Sequence, residues 1–150
     1  MKSKTRIVKS PDKAIKELEK INKSMSGPDS VKVGLPKDSN DYPDGTSVIM
    51  VGAVHEFGSP SRNVPQRSFL RSTVQEQRRP YKRLFRKLAR KIVRGEITKK
   101  EALGLLGLQV QTDVREKITD LKDPALVSRD GNPLVDTGHL RQSIIYEVGE

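Results

Sequence analysis

Two apolar stripes at helical spacing, separated by a very short connection, constrain this chain more than any other feature. Tyr81, Leu84, Phe85, Leu88 and Ile92 recur every three or four residues and mark one face of a long helix expected from about Ser72 to Arg94. Gly95 stands where a left-handed C-terminal cap belongs. Thr98, followed three residues later by Glu101, forms a capping box for the next helix. That helix carries Leu103, Leu106, Val110, Val114, Ile118 and Leu121, runs to about Asp120 and is stopped by Pro124. So short a connection predicts an antiparallel helical hairpin. Gly104 and Gly107 lower the propensity of the second helix and leave room for close helix–helix approach.

The polar face of the first of these helices is unusual. From Arg62 to Arg94 there are twelve Lys or Arg and one acid, Glu76, so these 33 residues carry +11 of a net charge of +10. The rest of the chain, with 17 basic and 18 acidic residues, is close to neutral. Such localisation points to a nucleic-acid surface or to docking on an acidic protein; a solvated helix face with no partner is the third reading. Duplex readers of the zinc-finger or helix-turn-helix type are not evident. Aromatics, at 4%, are too few for a single-strand stacking platform.

Elsewhere the pattern is that of short elements. Ser10-Pro11 reads as N-cap and first helical position, with Ala14, Ile15, Leu18 and Ile21 giving a helix over about Pro11 to Met25, ended by Ser26-Gly27-Pro28. Ser30 to Leu35 alternates and reads as a short strand stopped by Pro36, before a polar loop. Ser47 to Phe57 is ambiguous. Its β-branched residues favour a strand, yet Thr46 or Ser47 is placed to cap a helix with Val48, Val51, Val54 and Phe57 on one stripe. Ser61 to Phe69 reads as a loop that presses Phe69 onto the body. A turn at Asp130-Gly131-Asn132 precedes Asp136-Thr137-Gly138, where Asp136 or Thr137 caps one helical turn. Ser143 to Val148 reads as a strand with Ile144, Tyr146 and Val148 on one side; Ile145 on the other face suggests cover on both sides or an interface.

Little here points to catalysis. The chain has no cysteine, which removes disulfides, thiolate zinc sites and cysteine nucleophiles. His55-Glu56 lacks a second histidine four residues on, and His139 lies far away in sequence, so no metal site is expected. Asp136-Thr137-Gly138 resembles an aspartic-protease turn, but that chemistry needs two such aspartates, and only twelve residues follow Gly138 to build a substrate cleft. Phosphate-binding loops and Ser-His-Asp groupings are not apparent. The expectation is a protein that is not an enzyme, with no catalytic residue and no cofactor. No run approaches the ~20 apolar residues of a membrane span, and Met1 to Ser10 leads into no apolar segment of a secretory signal.

Three landmarks taken in order resemble a known family. They are Val54-His55-Glu56-Phe57-Gly58, Val64-Pro65-Gln66-Arg67-Ser68-Phe69-Leu70, and Pro133 to Ile144 with its Leu134-Val135-Asp136-Thr137-Gly138 core. The chain is similar to the phage tail-component family typified by gene product 10 of coliphage HK97, also described as neck or tail-completion proteins. The resemblance spans residues 54 to 144; Gln66 and Ser68 are small departures, Ser68 standing where proline is common. It implies a structural role in the virion, at the head–tail junction or tail, for a protein made in the host cytoplasm. It implies assembly as a ring, compatible with a monomer in isolation, against head–tail connector or adaptor proteins, a tail terminator and packaged DNA. A basic nucleic-acid-binding protein, or another phage structural protein such as the terminator itself, is the alternative.

With the resemblance, Ser47–Phe57 becomes a helix. The expected fold is a single α+β domain over 1–150: a small antiparallel or mixed sheet packed against a long basic helix and a helical hairpin. A flexible basic N-terminus (1–9) and loops at 36–46 and 58–69 complete it. Arg62, Arg67, Phe69, Arg79, Arg83, Arg86, Arg90, Arg94 and Ile145 are the candidate interface or DNA-facing residues. His55, Glu56, Phe57, Gly58, Pro65, Asp136, Thr137 and Gly138 are the structural motif.

Overall fold

The computed structural model describes residues 10–122, Leu134 and residues 138–149. The N-terminal arm 1–9, the turn expected at 130–132, and Asp136 and Thr137 lie outside the described residues. The elements run α1 (Pro11–Met25), β1 (Ser30–Gly34), α2 (Val48–Phe57), a 3-10 turn (Pro60–Arg62), α3 (Leu70–Glu76), α4 (Arg78–Val93), α5 (Lys99–Asp120), α6 (His139–Gln142) and β2 (Ile145–Gly149). The result is the α+β arrangement expected, with the antiparallel form of the sheet.

The hairpin is built as its caps dictate. After α4 the Gly95 N–H donates to the Ile92 carbonyl and the Glu96 N–H to the Lys91 carbonyl, with Gly95 at φ +66°. This paired closure requires a left-handed residue, which glycine adopts without strain. At the start of α5 the capping box is complete: Glu101 N–H donates to Thr98 Oγ1 at 3.2 Å and Thr98 N–H to Glu101 Oε2 at 2.7 Å. Leu88, Ile92 and Ala102 are buried where α4 meets α5, with Leu84, Ile97 and Leu106 around them. Further along, Tyr81 Oη donates to Asp113 Oδ2 at 2.8 Å, clamping the open end of the hairpin. Burial and this bond both raise the Tyr81 pKa, so the phenol stays protonated.

α5 is the spine. Its later turns contribute Val114 and Ile118 to the main core, with Val48, Phe69, Leu134, Leu140 and Ile144. Burying side chains of this size stabilises the fold by ~1.5–3 kcal/mol each. The sheet pairs β1 with β2 in the register Val31 to Val148 and Val33 to Tyr146, and it packs on α5. Gly107 makes that approach possible: a Cβ there would stand 2.6 Å from Tyr146 Cδ2 and 2.7 Å from Val31 Cγ2. The close neighbour is therefore the sheet rather than another helix, while Gly104 has nothing within 4 Å of a built Cβ. Lys32 and Glu147 lie opposite each other on the outer face of the sheet, exposed, and Ile145 shares that face half-buried.

Two expectations need correction. The helix from Ser72 to Arg94 is two helices, α3 and α4, that meet at Gln77 (φ −87°, ψ 8°). Pro80 explains the break: it has no N–H to donate to residue 76 and its ring crowds that carbonyl. The Ser47–Phe57 segment is a helix, as the family resemblance implied, but its buried stripe is Val48, Gly52 and Glu56, four residues apart. Phe57, expected on the inner stripe with Val48, Val51 and Val54, is exposed. The reason is proximity: a Cβ on Gly52 would stand 2.4 Å from Leu35 Cδ1, so the smallest side chain sets which face comes closest. The helix start is capped from a distance, Val48 N–H donating to Asp41 Oδ1 at 3.3 Å, while Ser47 makes no side-chain cap bond.

Candidate functional site

The first two landmarks of the sequence meet in space. Glu56, the buried end of the α2 stripe, aims its carboxylate at the start of α3. Oε2 accepts the Phe69 and Leu70 N–H groups, each at 2.9 Å. Oε1 accepts Ser68 Oγ at 2.8 Å, the Arg71 N–H at 3.1 Å and Arg71 Nε at 2.9 Å. The first N–H groups of a helix lack intrahelical acceptors and gather partial positive charge. Here a glutamate from another helix satisfies them. Burial by itself pushes the Glu56 carboxyl up. The bonds from Leu70, Arg71 and Ser68 outweigh it, and the group is held below the ordinary range as a carboxylate.

The surrounding motif residues serve the same joint. Gln66 Nε2 and an Arg71 guanidinium nitrogen both donate to the Glu56 carbonyl at 3.0 Å. The Arg71 guanidinium carbon lies 4.6 Å from the centre of the exposed Phe57 ring, a cation–π contact. Gly58 has φ +75°, and a Cβ on it would meet the Gln66 nitrogen at 3.0 Å. The loop beyond closes on itself through reciprocal Ser59 and Val64 backbone bonds of 2.8 and 3.0 Å, with Asn63 in the left-handed region. Pro65 follows that bridge, and Arg62 ends the 3-10 turn, exposed. Phe69 seats in the main core as expected.

Arg67, a candidate contact residue, is 4% exposed. Its N–H donates to the His55 carbonyl at 2.7 Å. Arg67 and Phe69 are therefore interior residues, and both leave the set of surface contacts. His55 Nδ1 is buried with no hydrogen-bond partner among the described residues. Burial first, and the Arg67 charge second, lower its pKa and keep the ring neutral. The other histidine, His139, bonds the Asn40 carbonyl at 2.7 Å through Nε2, and its ring lies 4.7 Å from that of Tyr42, tilted by 50°. Among the described residues there is no group of three His, Asp or Glu side chains placed to hold a metal. Gly138 has φ +73° and starts α6, which carries Leu140 into the core.

The remaining candidates sit together. Arg79, Arg83, Arg86 and Arg90 form one exposed line along α4, three or four residues apart, and Arg94 continues it beyond the helix. Arg94 has a loose contact with Glu96 at 3.6 Å. Among the described residues, no carboxylate forms an ion pair with any of the cations from Arg78 to Lys91. The acid nearest in sequence, Glu76, is turned the other way and pairs with Lys117 at 2.8 Å. Ile145 stands apart from this line, on the outer face of the sheet.

Sequence reasoning passed over Arg71, whose link to Glu56 spans fifteen residues and leaves no local trace. It set Lys87 on the basic face without making it a contact candidate and passed over Lys91, though both show in the helical pattern as the border between the basic line and the apolar stripe. Both strands of the sheet have a second edge with no strand beside it among the described residues. No helix in the described part is long and apolar enough to cross a membrane. Set against protein-family models, curated proteins and solved structures, the chain finds no match in any of the three.

Proposed function

We propose that this chain is a structural virion protein of the phage head–tail junction, a neck or tail-completion adaptor that works as a ring. The observation that carries the reading is the uncompensated arc of cations on α4. Like charges three or four residues apart on a helix repel, at ~0.2–0.5 kcal/mol per pair. A solvated face in a chain with 19 Asp and Glu would be expected to intersperse them, and here they are kept away. Such a surface fits an acidic partner, either packaged DNA in a channel or the acidic rim of a neighbouring ring. The free edges of the two-stranded sheet fit strand addition by a neighbour. The Glu56 joint gives the first two family landmarks a structural rather than catalytic purpose, and no residue is assigned a catalytic role.

Electron microscopy of particles made without this chain tests the proposal. Separate filled heads and tails that join when purified protein is added support it; normal particles without the protein overturn it. The second reading, a nucleic-acid-binding protein, draws on the Arg79–Arg90 line. If four arginines neutralise phosphates, log K falls against log salt with a slope of about −3.6. Weak binding with a flat salt response favours the protein rim.

A further inference from the structure

α1 carries more apolar surface than one copy of the chain covers. None of its residues is buried, and Ile15 is 52% and Leu18 65% exposed. Its C-terminal end lies nearer the hairpin: Met25, itself 47% exposed, lines a cleft with Phe85, Ala89 and Val93 of α4, and the Lys20 side chain lies beside Gly95. Leu18 and Ile15, about two and nearly three turns before Met25, extend the same stripe.

The charges of α1 are sorted around that stripe. At about 100° per residue, Asp12 and Glu19 border it on one side and Glu17 on the other, while the four lysines occupy the far face. Among the described residues none of the three acids is in an ion pair.

A matching surface exists on the other side of the α4–α5 hairpin. A groove of about 360 Å³ has Leu84, Leu88, Leu105 and Leu108 as its floor and Lys87 and Lys91 on its rim. Leu105 is 48% and Leu108 49% exposed. Apart from Leu88, which lines both, the α4 residues of this groove differ by most of a half-turn from Phe85, Ala89 and Val93, the side that meets the chain's own α1. Lys87 and Lys91 stand together on the α4 wall and Gln109 and Thr112 on the α5 wall, so the groove suits an apolar helix edge with acids along one border. A phosphate backbone would use the lysines but has no use for Leu105 and Leu108.

We infer that α1 of a second copy docks in this groove, Ile15 and Leu18 over Leu105 and Leu108, with one of its acidic borders against Lys87 and Lys91. Donor stripe and acceptor groove are different surfaces of one chain, so the contact is head-to-tail and repeats until it closes into a ring or continues as a filament. The inference rests on the ring reading above and names the interface for it. It also divides the labour of α4: Lys87 and Lys91 serve the neighbouring copy, and the Arg79–Arg90 line is left for the acidic partner.

The absence of cysteine makes disulfide trapping clean. Leu18→Cys and Leu108→Cys proteins are oxidised separately, mixed, and combined in one double variant, both in solution and within assembled particles. The expected result is a linked dimer from the mixture, neither single variant linking to itself, and a ladder from the double variant. Adding Lys87→Glu and Lys91→Glu is expected to cut the yield several-fold. No link in solution or in particles overturns the inference. So does self-linking of Leu18→Cys, which would mean a two-fold pairing of α1 helices, or an intrachain link in the double variant, which would mean that the chain's own α1 fills the groove. Particles that need the chain for head–tail joining yet give no 18–108 link would refute this docking and leave the junction role standing. A clean ladder from a chain dispensable for joining would do the reverse.

Discussion

Replacing Glu56 is expected to cost more stability than any other single surface-to-core change at the α2–α3 joint. The carboxylate accepts five hydrogen bonds, three of them from backbone N–H groups at the start of α3. Glu56→Gln keeps the shape but only one acceptor oxygen. If the amide nitrogen replaces Oε2 it confronts the Phe69 and Leu70 N–H groups; if it replaces Oε1 it confronts Arg71. Either way, buried donors face a donor, and unsatisfied buried polar groups cost ~1–3 kcal/mol each. The expected loss is about 3 kcal/mol for Gln and at least that for Ala, from the backbone N–H groups left without an acceptor; the Arg71 side chain, 57% exposed, adds little. Urea unfolding followed by circular dichroism reads it. With a slope of about 2 kcal/mol/M, the Gln variant's midpoint falls by about 1.5 M. The pH dependence supplies a second readout. Because the folded Glu56 pKa is depressed, its contribution is complete above the ordinary carboxyl range and is lost as pH falls below about 4.5. Glu56→Gln should lack that component of the acid transition. A Gln variant within about 0.5 kcal/mol of the parent, with an unchanged acid limb, would refute the reasoning.

The two helical glycines of α5 should respond with opposite signs. Gly104→Ala, facing open space, gains helix propensity and stabilises by about 0.5–1 kcal/mol; Gly107→Ala collides with Tyr146 and Val31, and overpacking of about 1–3 kcal/mol outweighs that gain. Thermal melts of both decide it. Thr98→Ala removes the capping box and is expected to cost about 1 kcal/mol, read by the same melts. Arg83→Glu replaces repulsion toward Arg79, Arg86 and Lys87 by attraction, so it should raise stability by about 1 kcal/mol at low salt. The same change should weaken duplex or acidic-partner binding, and added salt should shrink both effects. A destabilised variant with unaltered binding would mean that the arc is neither repulsive nor used.

If the proposed reading holds, function and stability pull apart on α4, whereas Glu56 serves folding. The arc carries charge that no described carboxylate pairs and that a neutralising substitution would relieve. Glu56 is charged and buried yet belongs to folding: its five donors come from one short segment, and they orient the loop that delivers Phe69 to the core.

What was legible in the sequence was what depends on neighbours within a turn. The limits of α1, the Gly95 closure, the Thr98–Glu101 box and the hairpin between α4 and α5 follow from spacings of three and four residues. Those bonds form wherever the chain sits, so local pattern suffices. Pro80 belonged to the same class, and it breaks the long basic helix at Gln77 for purely local reasons. Apart from the seating of Phe69 and the small sheet, what contact across the chain settles was hidden. The face that α2 buries depends on Leu35 approaching Gly52. The burial of Arg67 and the role of Glu56 depend on two segments meeting that are more than ten residues apart, and the cap of α2 comes from Asp41 rather than Ser47. The sequence by itself determined the charge arc and the helices that display it. Only the tertiary structure decided that the arc meets no carboxylate among the described residues, because pairing across a fold depends on where distant side chains are brought.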